Sequence, residues 1–218
     1  MPICASNVSM TYKKKKSRRT EALRNINLSA EAGSFTLITG RSGSGKTTLI
    51  NILSGLLRPT GGSVSLSGTD IYSLDDKALS RFRNSHIGYI PQGQSALMGL
   101  TVIENVLLPA AVYGSDDKTQ LAGELLERVG IAPLRDSLPE ELSGGELRRL
   151  AIARALINKP EVIFADEPTN DLDDENAKCV LQLLRETADS GTAVITVSHE
   201  EEAKSYADSI FHLEKLGG

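Results

Sequence analysis

The stretch SFTLITGRSGSGKTTLINIL, residues 34–53, restricts the possible folds more than any other part of the chain. An apolar run ends at a glycine. A glycine-rich turn follows, and apolar residues at helical spacing come next: Leu49, Ile52, Leu53 and Leu56. The order is strand, tight turn, helix. Within it, GRSGSGKT from Gly40 to Thr47 matches G-x-x-x-x-G-K-[ST] in the context that this motif requires. The glycines let backbone N–H groups turn inward toward phosphate oxygens, and the helix N-terminus adds partial positive charge. Lys46 is placed to reach β and γ phosphates, and the Thr47 hydroxyl to ligate Mg²⁺. A plain glycine turn is the alternative, and the match of both pattern and context speaks against it.

The rest of the chain repeats the alternation. Strands are predicted at residues 3–12 and 23–30, in SVSLSG, in HIGYIPQ, in PEVIFADEP and in TAVITVSH. A helical pattern runs from Leu100 to about Pro139, broken at Gly114 and Gly130. AKCVLQLLRETADSG reads as a helix closed by Gly191, and EEAKSYAD as the start of another. Strands alternating with helices predict a mostly parallel, doubly wound sheet, in which ligands sit beyond the carboxyl ends of the strands. The polar residues that follow the strands are therefore informative. They are Gly40, Gln92, Asp166 with Glu167, and His199.

Asp166 ends an apolar strand, where a lone carboxylate is costly without a cation. A Mg²⁺ shared with Thr47 supplies one. Neighbouring side chains in a strand point to opposite faces, yet strand ends are irregular, so Glu167 can swing toward a γ-phosphate and orient or deprotonate the attacking water. Gln92 can ligate Mg²⁺ or hold water. His199 is placed for a γ-phosphate contact, although lone histidines are usually structural. Tyr12 ends the first strand, where stacking on a base and ordinary packing are equally open.

A second glycine turn stands at LSGGELRRL, residues 142–150. Ser143, Gly144 and Gly145 precede a helix with Leu147, Leu150, Ala151 and Ala155 on one face. A second set of exposed N–H groups results. Three readings are open: an ordinary N-cap, a second ligand site on the same subunit, or a site for another subunit's nucleotide.

The chain resembles the ATP-binding subunit of ABC transporters along nearly its whole length. GRSGSGKT, IPQ at Gln92, LSGGE at Ser143–Glu146, VIFADE at Asp166–Glu167, NDLD ending at Asp173 and SH at His199 occur in that family's order. The resemblance implies an α/β P-loop NTPase: a mostly parallel core sheet, an N-terminal antiparallel β sub-domain and a helical sub-domain at about 93–158, all within one ATPase domain spanning 1–218. It implies ATP and Mg²⁺ as cofactors. The nucleotide would be held by Tyr12, by Gly40, Arg41, Ser42, Gly43, Ser44, Gly45, Lys46, Thr47 and Thr48, and by Gln92. The metal would lie on Thr47, Gln92 and Asp166, with Glu167, His199 and Lys46 as the catalytic groups. It selects the third reading of the second turn. Two copies would pack head to tail, and Ser143, Gly144, Gly145 and Glu146 would close on the partner's ATP, with Asp173 at the interface. The residues EALRNINL, RNSHIGYIPQ and LTVIENVLLPA further resemble the subgroup of lipoprotein-release, macrolide- and peptide-export ATPases, which also holds a cell-division ATPase. Two departures stand out: Glu146 where glutamine is commoner, and Asn170–Asp171 where a small pair is usual.

The expected partner is a transmembrane permease that exports or extracts a lipoprotein, peptide or drug, contacted by the region 93–140. The alternative is a complex that moves nothing and signals mechanically to cell-wall hydrolases. A ribosome- or DNA-acting factor would carry two cassettes or long coiled-coil insertions, and neither is present, so no nucleic acid is expected. An unrelated P-loop kinase or GTPase would leave LSGGE unexplained. The basic run KKKKSRR, Lys13–Arg19, reads as a solvated hairpin loop. A net charge of −4 excludes no partner. No apolar run reaches the ~20 residues that span a bilayer, and the N-terminus lacks a signal-peptide pattern. A cytoplasmic protein, peripheral on the membrane through its permease, is expected. Cys4 and Cys179 match no metal spacing and are expected to be reduced, buried thiols.

Overall fold

The computed structural model describes residues 2–13, 19–114 and 117–216. The first half of the chain forms strands β1 (Ile3–Lys13), β2 (Arg19–Ala30) and β3 (Phe35–Thr39), helix α1 (Lys46–Leu53), strands β4 (Gly61–Leu66) and β5 (Thr69–Asp70), helix α2 (Asp76–His86) and strand β6 (Ile87–Ile90). Helices α3 (Val102–Ala111), α4 (Thr119–Arg128) and α5 (Gly144–Leu156) follow. Strand β7 (Val162–Asp166), helix α6 (Asp174–Asp189) and strands β8 (Ala193–Val197) and β9 (Ser209–His212) complete it.

Two sheets result. One is antiparallel, in the order β2-β1-β4-β5; the other is wholly parallel, in the order β6-β7-β8-β3-β9. β7 and β8 lie at the centre of the parallel sheet and are buried at all five positions each. Alternation then sorts their side chains between two cores. Ile163, Ala165 and Val194 face the layer of α3, α4, α5 and α6. Val162, Phe164, Ala193, Ile195 and Val197 face α1 and the antiparallel sheet. Each Leu, Ile or Val so buried contributes about 1.5–3 kcal/mol relative to exposure. Because β3, β6, β7 and β8 run parallel, all four carboxyl ends reach one edge of the sheet.

The predicted strands and long helices are all present. Three elements were not predicted: α2, β9 and the two-residue strand β5. α2 is short and mostly polar, with Leu79 buried and Phe82 partly buried beside it as its apolar contacts. β9 is an edge strand with three of its four residues exposed. EEAKSYAD makes a 3₁₀ turn at Glu202–Tyr206 rather than a full helix. The next residues are needed elsewhere: Asp208 N–H donates to Phe35 O at 2.9 Å and the Asp208 carboxylate accepts from Phe35 N at 2.7 Å. These bonds start the pairing of β9 with β3. The cysteine expectation is also corrected, because Cys4 is half-buried and Cys179 is exposed. Cys4 points away from the face on which Ile3 and Ala5 are buried. The basic run Lys13–Arg19 falls mostly outside the described residues. Among the described residues, no helix is long and apolar enough to cross a membrane.

Candidate nucleotide site

The turn between β3 and α1 has the backbone that its glycines allow. Gly40, Gly43 and Gly45 take φ values of 151°, 75° and 100°. Packing forbids a side chain at two of them. A Cβ on Gly40 would lie 2.4 Å from Leu213 O, and one on Gly45 would lie 2.8 Å from Ala22 O. Gly45 caps α1 without a side-chain bond, and no acidic residue occupies the first turn. The N–H groups of that turn have no intrahelical acceptor, so they form an anion seat. Lys46 is buried, and its Nζ donates to Gly40 O at 2.9 Å and Arg41 O at 3.4 Å. These backbone carbonyls hold the ammonium at the mouth of the loop.

The other strand ends supply the opposite wall. Asp166 is 2% exposed, and its Oδ1 has no hydrogen-bond partner. Burial pushes its pKa up, and the neighbouring Glu167 charge adds to that, while the Thr47 hydroxyl and Lys46 oppose it. A buried, half-satisfied carboxylate facing a hydroxyl is a donor set suited to a divalent cation. Glu167 answers the question of strand geometry. Its φ of 48° is left-handed, a conformation that costs a non-glycine residue energy and takes it out of the strand alternation. Its side chain then turns to the same edge as Asp166. Gln92 Nε2 donates to Glu167 Oε2 at 2.9 Å, and His199 Nδ1 lies 3.7 Å from Glu167 Oε1.

A cleft of about 920 Å³ joins these parts. It is lined by Tyr12, Gly40, Arg41, Ser42, Gly43, Gly45, Lys46, Thr47, Thr48, Gln92, Glu167 and His199. Thr20 and Ala22 of β2 line it too, and sequence reasoning missed both. No motif marks them in the sequence; β2 brings them to the cleft by pairing with β1, where Tyr12 lies opposite Thr20. Tyr12 is 38% exposed at the edge of the cleft, with its hydroxyl 3.2 Å from Thr48 Oγ1. Ser44 is buried beneath the loop, with its Oγ unpartnered.

Ser143, Gly144, Gly145 and Glu146 do not line this cleft. Their turn is the start of α5, with Ser143 as N-cap. The Ser143 N–H and hydroxyl each donate to Glu146 Oε2 at 2.7 Å, while Ser143 Oγ accepts from Glu146 N at 3.3 Å. Those bonds from Ser143 hold the Glu146 pKa down. Asp173 caps α6, accepting from Asn176 N at 2.8 Å. A Cβ at 145 would lie 2.1 Å from Asn176 Oδ1, so any side chain there must displace that of Asn176.

Comparison with known proteins agrees with this geometry. The ABC transporter family profile matches residues 23–170. The lipoprotein-releasing system ATP-binding protein LolD 1 of Rhodopirellula baltica is 46% identical over 180 residues, covering 81% of this chain and 79% of that protein. The macrolide export ATP-binding/permease protein MacB of the same organism is 40% identical over 198 residues, covering 88% of this chain but 29% of its own length. A dimeric structure of a post-hydrolysis state of the ATP-binding cassette MJ0796, bound to ADP and Pi, superposes with a TM-score of 0.89 at 34% identity, over 99% of both chains. The chain belongs to the ABC transporter family, as an ATP-binding subunit that hydrolyses ATP.

Proposed function

We propose that two copies of this chain close head to tail around two ATP molecules and so drive a membrane permease. The observation that carries this reading is the placement of the Ser143–Gly145 turn. It is a glycine-rich helix start, capped by its own Ser143 and Glu146, that stands outside the cleft that its own chain builds for the triphosphate. A second copy supplies the phosphate it lacks, and the dimeric MJ0796 cassette supports such pairing.

Within one cleft, the phosphate-loop N–H groups and Lys46 bind the β and γ phosphates, and Tyr12 stacks on the base. Thr47, Asp166 and Gln92 are the residues that would hold Mg²⁺. The metal neutralises phosphate charge when bound. Glu167 orients the attacking water and accepts its proton. Gln92 and His199 fix the Glu167 carboxylate from two sides, and His199 also reaches the γ-phosphate. The chain is one ATPase domain, with the helical region at about 93–158 inserted in the core. The permease contact lies along residues 93–140, where Leu97, Met98, Val112 and Tyr113 are exposed. This contact holds the subunit at the cytoplasmic face of the membrane. The names of LolD 1 and MacB support an exporter or extractor of a lipoprotein, peptide or drug.

Glu167→Gln tests the reading. It keeps the bond to Gln92 possible but removes the base. Hydrolysis should fall roughly 10²–10⁴-fold, and an ATP-stable dimer should accumulate on a sizing column. Normal turnover in this variant would sink the assignment of Glu167. A purely monomeric elution with ATP would sink the shared site.

A further inference from the structure

Two arginines of α5 reach back to the loop that follows β6. Arg148 is 7% exposed, and its Nη1 donates to Pro91 O at 3.0 Å and to Gly93 O at 3.2 Å. It therefore grips the backbone on both sides of Gln92. Arg154 holds the next part, donating to Ser95 O at 2.7 Å and Ser95 Oγ at 2.6 Å. Asn105 of α3 secures the far end through Leu97 N–H at 2.8 Å and the carbonyls of Leu97 and Leu100 at 3.0 Å. Of these side chains, Arg148 alone holds the segment that carries Gln92.

Arg148 sits in the same first turns of α5 as Ser143, Gly144 and Gly145. A third segment meets it there. Asp171 faces the guanidinium and favours its charged form, against a burial that lowers the Arg148 pKa. The backbone at Asp171 is left-handed, with φ 63°, and its carboxylate accepts from Asn170 Nδ2 at 2.9 Å. A cavity of about 220 Å³, lined by Gly93, Gly144, Arg148 and Asp171 among others, marks the junction.

We propose that Arg148 is a positioning residue that makes the Ser143–Gly145 turn follow Gln92, so that nucleotide in a subunit's own cleft alters the grip of that subunit on its partner's nucleotide. The proposal rests on the two-subunit reading above. One nitrogen, Nη1, of a buried guanidinium donates to both carbonyls and so ties the backbone on the two sides of Gln92 to a single point of α5. The loop and the helix start then move as one body. Gln92 touches the Glu167 of its own cleft, while the Ser143 turn serves the other cleft, so the two sites become coupled, and the coupling is reciprocal.

The test is the ATPase rate as a function of ATP concentration for the wild type, Arg148→Met and Arg148→Lys, with ATP binding to single subunits measured by fluorescence. The wild-type curve should be sigmoidal, with a Hill coefficient approaching the two sites of the dimer. In Arg148→Met it should become hyperbolic, with the saturated rate down roughly tenfold, well inside the usual range of coupling, and single-subunit affinity unchanged. Arg148→Lys keeps the charge and enough donors on one nitrogen to hold both carbonyls, so it should restore the sigmoidal shape, and Arg148→Gln, polar but too short to reach both carbonyls, replaces Arg148→Met if that variant does not fold. A merely structural arginine would lower rate and Tm together and leave the curve shape intact. A hyperbolic wild-type curve, or a fully sigmoidal Arg148→Met or Arg148→Gln curve, overturns the proposal. The Glu167→Gln sizing experiment keeps the two ideas apart. If that variant dimerises with ATP while the curve shapes do not change, only the role of Arg148 falls; if it never dimerises, the shared site falls first.

Discussion

The two glycine turns of this chain both open helices, and they solve the problem of helix-end N–H groups in opposite ways. α1 begins at Gly45 with no side-chain cap and no acidic residue in its first turn. Its open N–H groups and the adjacent Lys46 make a site that is complete except for the phosphate. α5 begins at Ser143 with a closed capping box, and the acid that closes it, Glu146, lies in the first turn. One end is left unsatisfied by its own chain and is electropositive. The other is stable by itself and carries a carboxylate beside the place where an anion would dock. A helix start is therefore not an anion site merely by being a helix start. What surrounds the first turn decides whether the site works alone or only as one wall of a shared site.

The largest expected effect breaks the comparison on the α1 side. Lys46→Ala removes a charged donor from a buried loop, so ATP affinity of a single subunit should fall roughly 10–100-fold, the range for losing one or two charge-assisted bonds. Ser143→Ala should leave that single-subunit affinity unchanged, yet abolish the ATP-stable dimer in the Glu167→Gln background. Equilibrium binding with a fluorescent ATP analogue and sizing chromatography measure the two. Equal losses of single-subunit affinity in both variants would show that the two turns share one cleft after all.

A next-smaller effect separates the two glycines of the α5 turn. A Cβ on Gly145 would meet Asn176 Oδ1 at 2.1 Å and Asn176 Cβ at 3.1 Å. Asn176 accepts from Arg149 Nη1 at 2.9 Å and donates to Asp173 Oδ2 at 2.8 Å, so moving it breaks the link between α5 and the cap of α6. Gly145→Ala should cost about 1–3 kcal/mol, the usual range for overpacking. Gly144 has room, with Leu172 Cδ2 at 3.8 Å from the same hypothetical atom. Gly144→Ala should hold or raise Tm, because alanine is the better helix residue by about 1 kcal/mol. Thermal unfolding of the nucleotide-free protein decides the matter, and similar Tm values for the two variants would refute the packing argument for Gly145.

How much of this was legible in advance follows from how local each feature is. The phosphate loop could be read because strand, glycines, lysine and threonine are contiguous. The central strands could be read because burial on both faces makes residues 162–165 an unbroken apolar run and leaves Thr196 as the one polar residue of AVITV. α2 escaped because it is short and mostly polar, with only Leu79 and Phe82 meeting the core. The bond from Gln92 to Glu167 joins residues 75 apart in the chain and depends on a left-handed backbone at Glu167, which no residue pattern announces. Arg148 escaped for a related reason. A basic residue in a polar helix start reads as solvated, and only the packed loop beyond β6 shows it to be buried.

The smallest effect concerns Glu146 and sets stability against function at one atom. Its carboxylate accepts both the N–H and the hydroxyl of Ser143, each at 2.7 Å, and sits at the positive end of α5. Those bonds depress its pKa in the folded chain. A depressed carboxylate pKa stabilises the fold above the unfolded value, and the contribution disappears as pH falls through the folded value. Glu146→Gln keeps the shape of the cap but loses the charge, so it should cost about 0.3–1 kcal/mol at neutral pH, the range for a charge at a helix end. The difference from wild type should shrink toward zero as the solution is acidified below the ordinary glutamate range. In the shared site the same change removes a negative charge from beside the partner's triphosphate. ATP-dependent dimerisation in the Glu167→Gln background should therefore tighten, by roughly threefold if about 0.6 kcal/mol of repulsion is relieved. Denaturant unfolding at several pH values and sedimentation with ATP measure the two sides. A variant that is both less stable and weaker in dimerisation would mean that the α5 turn does not face phosphate, and the contrast between the two helix starts would lose its functional meaning.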